Sequence, residues 1–219
     1  MAQSFGVDNI GKGTIEKLVV AMFGASASKM SDIELFAKVG LKAKSIVLTK
    51  KGKRTEDMKL FSLSFDEFHD PSASFENSPI YDYFAEGSIL CIVLEEPSAS
   101  APLSENVFRG FKRVSFDDEF IDGEVRRTYE DIHRLVSKHE LAFIPDIDKK
   151  TGKPKVNKTG AVSGAPNFPK SKDHVVFVRG TGRDSTDKTE FVNGIAMYRQ
   201  QIWIKGSYMA ERLLGASWI

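Results

Sequence analysis

The 219-residue sequence is short of cysteine, histidine, long apolar runs and net charge. Each shortage excludes something. One cysteine, Cys91, cannot build a disulfide framework and fits a reducing cytoplasm. It lies in the apolar run over residues 89–94, where a thiol reads as a small buried hydrophobe and not as a nucleophile. Four histidines beside that single cysteine argue against a structural zinc site. No apolar run is long enough to cross a bilayer, and residues 1–6 carry no charged-then-apolar leader. The expectation is a cytoplasmic protein without a membrane partner. Thirty-one Lys and Arg balance thirty Asp and Glu, leaving +1. Binding to nucleic acid would therefore need a local basic patch, since the overall field supplies no attraction.

What is present is an ordinary globular composition, 41% hydrophobic and 28% charged, in a length that suits one sizeable domain over 1–219. Helical spacing of Ile10, Ile15, Leu18, Val19, Met22 and Phe23 predicts a helix over 9–24. Gly11-Lys-Gly-Thr14 lacks full P-loop spacing and a preceding strand, so it is not read as a phosphate loop. Residues 39–48 alternate and predict a strand with one face buried. Lys42 and Lys44 stand two apart and so share a face, where two ammonium groups call for something anionic or wet opposite them.

Residues 59–65 read as a strand antiparallel to that one, after a basic turn centred on Gly52. Residues 78–86 read as a helix. Residues 88–95 read as a central strand buried on both faces, and 108–116 as another strand. Residues 122–139 predict a long helix with the stripe Val125, Tyr129, Ile132, Leu135 and Val136, its Arg126, Arg127 and Arg134 on a solvated face. Residues 147–169 read as a long surface loop with room for a small hairpin. Strands over 174–180 and 194–204 and a helix over 208–214 close the chain. Trp203 falls in the apolar phase of its strand and reads as core. The order of elements gives a mixed α/β or α+β fold.

Three segments together resemble the MutH family of PD-(D/E)XK endonucleases, and within it the Sau-type restriction enzymes that cleave at GATC. They are Asn9-Ile-Gly-Lys-Gly-Thr-Ile-Glu-Lys17, Val39-Gly-Leu-Lys-Ala-Lys-Ser-Ile46, and Val176-Phe-Val-Arg179 followed by Tyr198-Arg-Gln-Gln-Ile-Trp-Ile-Lys-Gly-Ser-Tyr208. The resemblance implies a MutH-like fold with a mixed central sheet flanked by helices. It also implies a Mg²⁺ site in active members, held by an aspartate and the glutamate of Glu-x-Lys beside a catalytic lysine. Lys44 matches that lysine. Lys42 stands where the glutamate would be, and the aspartate position falls near Leu35 or Phe36. Glu16 stays in place, while Asp32 and Glu34 are out of register. No catalytic set is intact, and a cation at a ligand position opposes Mg²⁺.

The resemblance thus implies the noncatalytic C-terminal copy of a Sau-type enzyme, which binds duplex DNA at GATC and acts as an allosteric effector of a catalytic domain. Its partners would be double-stranded DNA and a catalytic domain or second subunit, with no cofactor of its own. The alternatives are an active Mg²⁺-dependent endonuclease using Glu16, Asp32 and Glu34 with Lys44, and an interaction domain without DNA binding.

Arg179, Arg183, Arg199, Gln200 and Gln201 are the candidates for reading bases, because Arg pairs bidentately with guanine and Gln with adenine. For the glutamines, the competing assignment is a bond to backbone or water. Lys153, Lys155, Lys158, Lys170 and Lys172 suit phosphates, as would any solvated loop lysine.

Overall fold

The computed structural model describes residues 14–22, 40–54, 56–98, 101–158 and 160–219. The fold is mixed α and β, with small sheets and few helices. Packing divides the chain into two compact units. The first comprises Met1–Glu56, Tyr83–Asp117 and Gly206–Ile219; the second comprises Asp57–Asp82 and Asp118–Lys205.

In the first unit, helix α1 (Thr14–Met22) precedes strand β1 (Leu41–Thr49). Strand β3 (Ser88–Glu96) is buried along its first seven residues and lies between β1, parallel, and β4 (Val107–Val114), antiparallel. Its unbroken apolar run lets it pack on both faces. Val20, Leu90 and Ile92 form a buried cluster on which Leu41, Ala43, Phe108 and Phe111 pack. Cys91 is fully buried, and that burial pushes its thiol up to about 12, so it is an inert core group.

The expectation that the strand after the basic turn pairs with β1 is corrected. Strand β2 (Met58–Ser62) pairs antiparallel with β10 (Arg199–Ile204), in the second unit. The chain does turn at Gly52, where Thr49 and Lys53 are bonded, but Arg54 then fastens it with bonds to the carbonyls of Glu56 and Val47. Strand β1 pairs instead with β3, whose unbroken buried run offers more apolar surface than β2. Helix α2 (Pro79–Ala85) carries the chain from β2 towards β3.

The second unit is built on a three-stranded sheet in the order β2, β10, β7, where β7 is Val176–Thr181. Its long helix begins with a turn at Asp118–Phe120, passes through a π-helical turn at Ile121–Val125, and continues as α3 (Arg126–Ser137). The apolar stripe is as the sequence predicts: Val125, Tyr129, Ile132, Leu135 and Val136 are all buried. His139 ends the helix in the left-handed region at φ 56°. The arginines are less free than a solvated face implies. Arg126 bridges Glu76 at 2.7 Å and Asp122 at 2.8 Å, and Arg134 bridges Asp131 and Glu140.

The region over 147–169, expected as a long surface loop with room for a small hairpin, is largely a hairpin. Strands β5 (Phe143–Pro145) and β6 (Gly164–Pro166) pair antiparallel, and bridges at Ile147–Pro154 and Val156–Val162 continue the ladder. Turn chemistry makes it. The Asp148 carboxylate accepts the N–H groups of Lys150 and Thr151, both at 2.9 Å, and these bonds hold its pKa below the usual carboxylate range. A second hairpin, β8 (Glu190–Val192) with β9 (Ile195–Met197), turns on Asn193 and Gly194, both at positive φ. Helix α4 (Gly206–Gly215) belongs to the first unit and buries Met209, Ala210 and Leu213.

Candidate nucleic-acid interface

Strand β1 places Lys42 opposite Ile89 and Lys44 opposite Cys91, both half-buried. Lys42 finds an internal partner. Its Nζ lies 4.4 Å above the centre of the Tyr83 ring and 3.5 Å from the Tyr83 carbonyl. A cation over an aromatic face is stabilised by the ring quadrupole, the more so when desolvated. Gly87 is part of this arrangement, because a Cβ there would stand 2.1 Å from the Lys42 Nζ. Burial raises the Tyr83 hydroxyl well above its ordinary value, so Tyr83 stays neutral. Glu16 lies on α1, its side chain outside the described residues, as are Asp32 and Glu34.

The corner where β7 meets β10 shows why residue type misled for the two glutamines. Pairing sets Arg199 against Thr181, Gln200 against Gly180 and Gln201 against Arg179. Gln200 is 3% exposed and Gln201 1% exposed. Each spends its amide on its own strand: Gln200 Nε2 donates to Tyr198 O at 2.6 Å, Gln201 Nε2 to Arg199 O at 2.8 Å. Thr181 adds a hydroxyl to Gln201 Oε1 at 3.0 Å. These amides satisfy interior partners first, and Gln201 is not offered to base edges, whereas Gln200 also reaches the wall of the cavity beside β7. The requirement that buried polar groups be bonded outweighs any pairing with adenine.

The arginines differ from one another. Arg179 is exposed, but Asp57 holds it at 2.6 Å while it lies 4.9 Å from the Phe177 and Trp203 ring centres. Trp203 donates its indole N–H to Arg179 O at 3.3 Å and is half-buried, so it packs beneath the guanidinium and is less enclosed than a core tryptophan. Arg183, on the loop after β7, is 88% exposed and 3.6 Å from Asp187. Arg199 is exposed at the start of β10. Lys153, Lys155, Lys158, Lys170 and Lys172 are all exposed, the first two at the far end of the β5–β6 hairpin.

A cavity of about 340 Å³ opens beside β7. Phe143, Phe168, Phe177 and Tyr198 give it aromatic walls. Lys170, Arg179 and Lys188 supply charge, Arg179 being bridged to Asp57, and no Asp or Glu is among the described lining residues. Lys188 Nζ stands 5.3 Å over the Phe143 ring. Lys170 and Arg179 were legible as candidates from sequence. Lys188, Phe143 and Tyr198 were not, because the walls come from two hairpins and a strand far apart in the chain. The only available signal was the aromatic residue at the base of a lysine-rich stretch.

Charge in this unit is segregated along the chain. Residues 141–205 hold twelve Lys and Arg against six Asp and Glu, whereas 57–82 and 118–140 together hold five against thirteen. A nearly neutral protein thus carries one strongly basic stretch, and that stretch builds the cavity and both hairpins. No family model matches the chain, and no curated protein matches it.

Proposed function

We propose that the chain is a noncatalytic, MutH-like DNA-binding domain of the Sau-type restriction endonucleases. In this reading it engages duplex DNA at GATC and acts as an allosteric effector of a catalytic domain. The observation that carries the reading is the basic stretch over 141–205, with its exposed Lys153, Lys155, Lys170, Lys172, Arg183 and Arg199. Cations arrayed on hairpins suit phosphates, and neutralising phosphates releases counterions. Lys42 supports the noncatalytic part. It stands where active relatives of that family would have a metal-binding glutamate, and its charge is already engaged by Tyr83. GATC recognition and the effector role rest on the resemblance. Arg179, Arg183 and Arg199 remain the candidates for base contacts; Gln201, 1% exposed and bonded within its sheet, leaves the set, while Gln200 is largely buried but lines the cavity beside β7.

The test is a GATC-containing duplex with Mg²⁺ at low salt, followed for both retention and cutting. Retention without cutting, weakened by Arg199→Ala, is the expected result. Cutting that is abolished by Lys44→Ala would overturn the noncatalytic reading, and absence of retention at low salt would overturn DNA binding. Lys42→Glu alone is expected not to produce cutting, since the aspartate position is also lost.

A further inference from the structure

The cavity beside β7 has features that simple phosphate contacts along a duplex do not require. Exposed lysines suffice for those. Here, aromatic side chains line a cavity of about 340 Å³, within the range of small-molecule sites, and Lys170 and Lys188 sit among them with no carboxylate among the described lining residues. Apolar walls with convergent positive groups select a planar ring that carries an anion. A nucleotide has both: its base presents π-faces to the half-buried Phe143 and Tyr198, with the buried Phe168 behind them, and its phosphate complements Lys170 and Lys188. The occupant is more than a free nucleotide, because the β5–β6 hairpin supplies Phe143 and Gly164 to the cavity and carries Lys149, Lys150, Lys153 and Lys155 towards its other end. Those lysines call for further phosphates on the same ligand.

We propose that this cavity receives one unstacked nucleotide of the bound DNA. The proposal rests on the DNA-binding reading and deepens it. A base cannot enter a recess of this kind while stacked in a duplex, so it must leave the stack, and unpairing costs least at a mismatch. A protein that holds an extruded base therefore prefers the mismatched duplex.

The experiment scans single mismatches through a GATC-containing duplex at fixed low salt and measures retention. In parallel, dAMP and dGMP are titrated into the protein and followed by NMR. Ala196, an exposed cavity residue on β9, is replaced to fill the space (Ala196→Trp). Ala165→Trp serves as a second filling variant should the first not fold. Expected are at least tenfold tighter retention at one mismatch position and saturable binding of a monophosphate, with both lost in the filled variant while the matched duplex is still retained. Equal retention of matched and mismatched duplexes with no monophosphate binding overturns the cavity proposal and leaves DNA binding standing. Saturable monophosphate binding without duplex retention overturns the DNA reading and keeps a nucleotide site. Absence of both overturns both.

Discussion

Two lysines in this molecule stand over aromatic rings, and their surroundings give them opposite uses. Lys42, in the first unit, lies 4.4 Å over Tyr83, beside that residue's carbonyl and against Gly87. Its side chain is packed within its own unit, on a strand paired with the most buried strand of that unit. Lys188, in the second unit, lies 5.3 Å over Phe143 on the wall of a cavity. The contact type is shared, but one cation is committed to structure and the other faces a space that can be filled. Charge and residue type do not separate these cases. What separates them is how much of the cation's surroundings the protein itself supplies.

The largest effect should come from the cavity cations. Replacing Lys170 and Lys188 together by Ala should weaken retention of the preferred mismatched duplex by about 10- to 100-fold at low salt, as two charged contacts are lost. The slope of log affinity against log salt should flatten by about 2. Thermal stability should change little, since Lys170 is exposed and Lys188 half-buried. Unchanged affinity would erase the contrast between the two lysines.

Lys42 should show the converse. Lys42→Met keeps an unbranched chain but removes the charge, and should cost about 0.5–2 kcal/mol of stability, seen in denaturant unfolding. Retention of DNA should stay within about twofold, because a charge already held by Tyr83 adds little to a phosphate site. A strong loss of binding with unchanged stability would assign Lys42 to the DNA instead.

The same distinction explains what could be read in the sequence. Strand β3 and the α3 stripe were legible because continuous burial and helical spacing leave direct marks in residue order. The partner of β1 was not, because strand pairing is a competition between segments and the nearest one in sequence lost. The extent of the β5–β6 hairpin was not legible beyond a loop with room for a small one, because bonds to Asp148 and positive-φ glycines at 152 and 160, and not apolar alternation, organise it. Gln200 and Gln201 stand out in sequence for what their amides can pair with. Their burial follows from strand phase and from neighbours that sequence spacing does not reveal.

Gln201 offers a smaller test of that last point. Gln201→Leu removes a donor to Arg199 O and an acceptor for Thr181 at a site 1% exposed. It should destabilise by about 1–2 kcal/mol, the usual cost of leaving buried partners unpaired. Arg199→Ala should leave stability nearly unchanged and weaken retention. A binding defect in Gln201→Leu without loss of stability would return the glutamine to the interface.

The smallest effect concerns His174, a buried group that belongs to structure as Lys42 does. It is 6% exposed, with Thr128 Oγ1 at 3.4 Å, Asp131 at 3.7 Å and Glu124 at 3.8 Å. Burial lowers its proton affinity below the ordinary 6.5, and Arg127 adds to that, while Glu124, Asp131 and Asp173 oppose it. The unfolded chain therefore binds the His174 proton more readily than the folded protein does. Its contribution to stability is full above pH 6.5 and is lost as pH falls from there to the depressed folded value. Glu67 and Glu190, both raised by burial, work in the opposite sense, losing stability as pH rises from about their ordinary 4.5. Denaturant midpoints measured from pH 7.5 to 5.5 should therefore fall, and His174→Gln should flatten the fall. A slope unchanged in that variant would place the titrating group elsewhere.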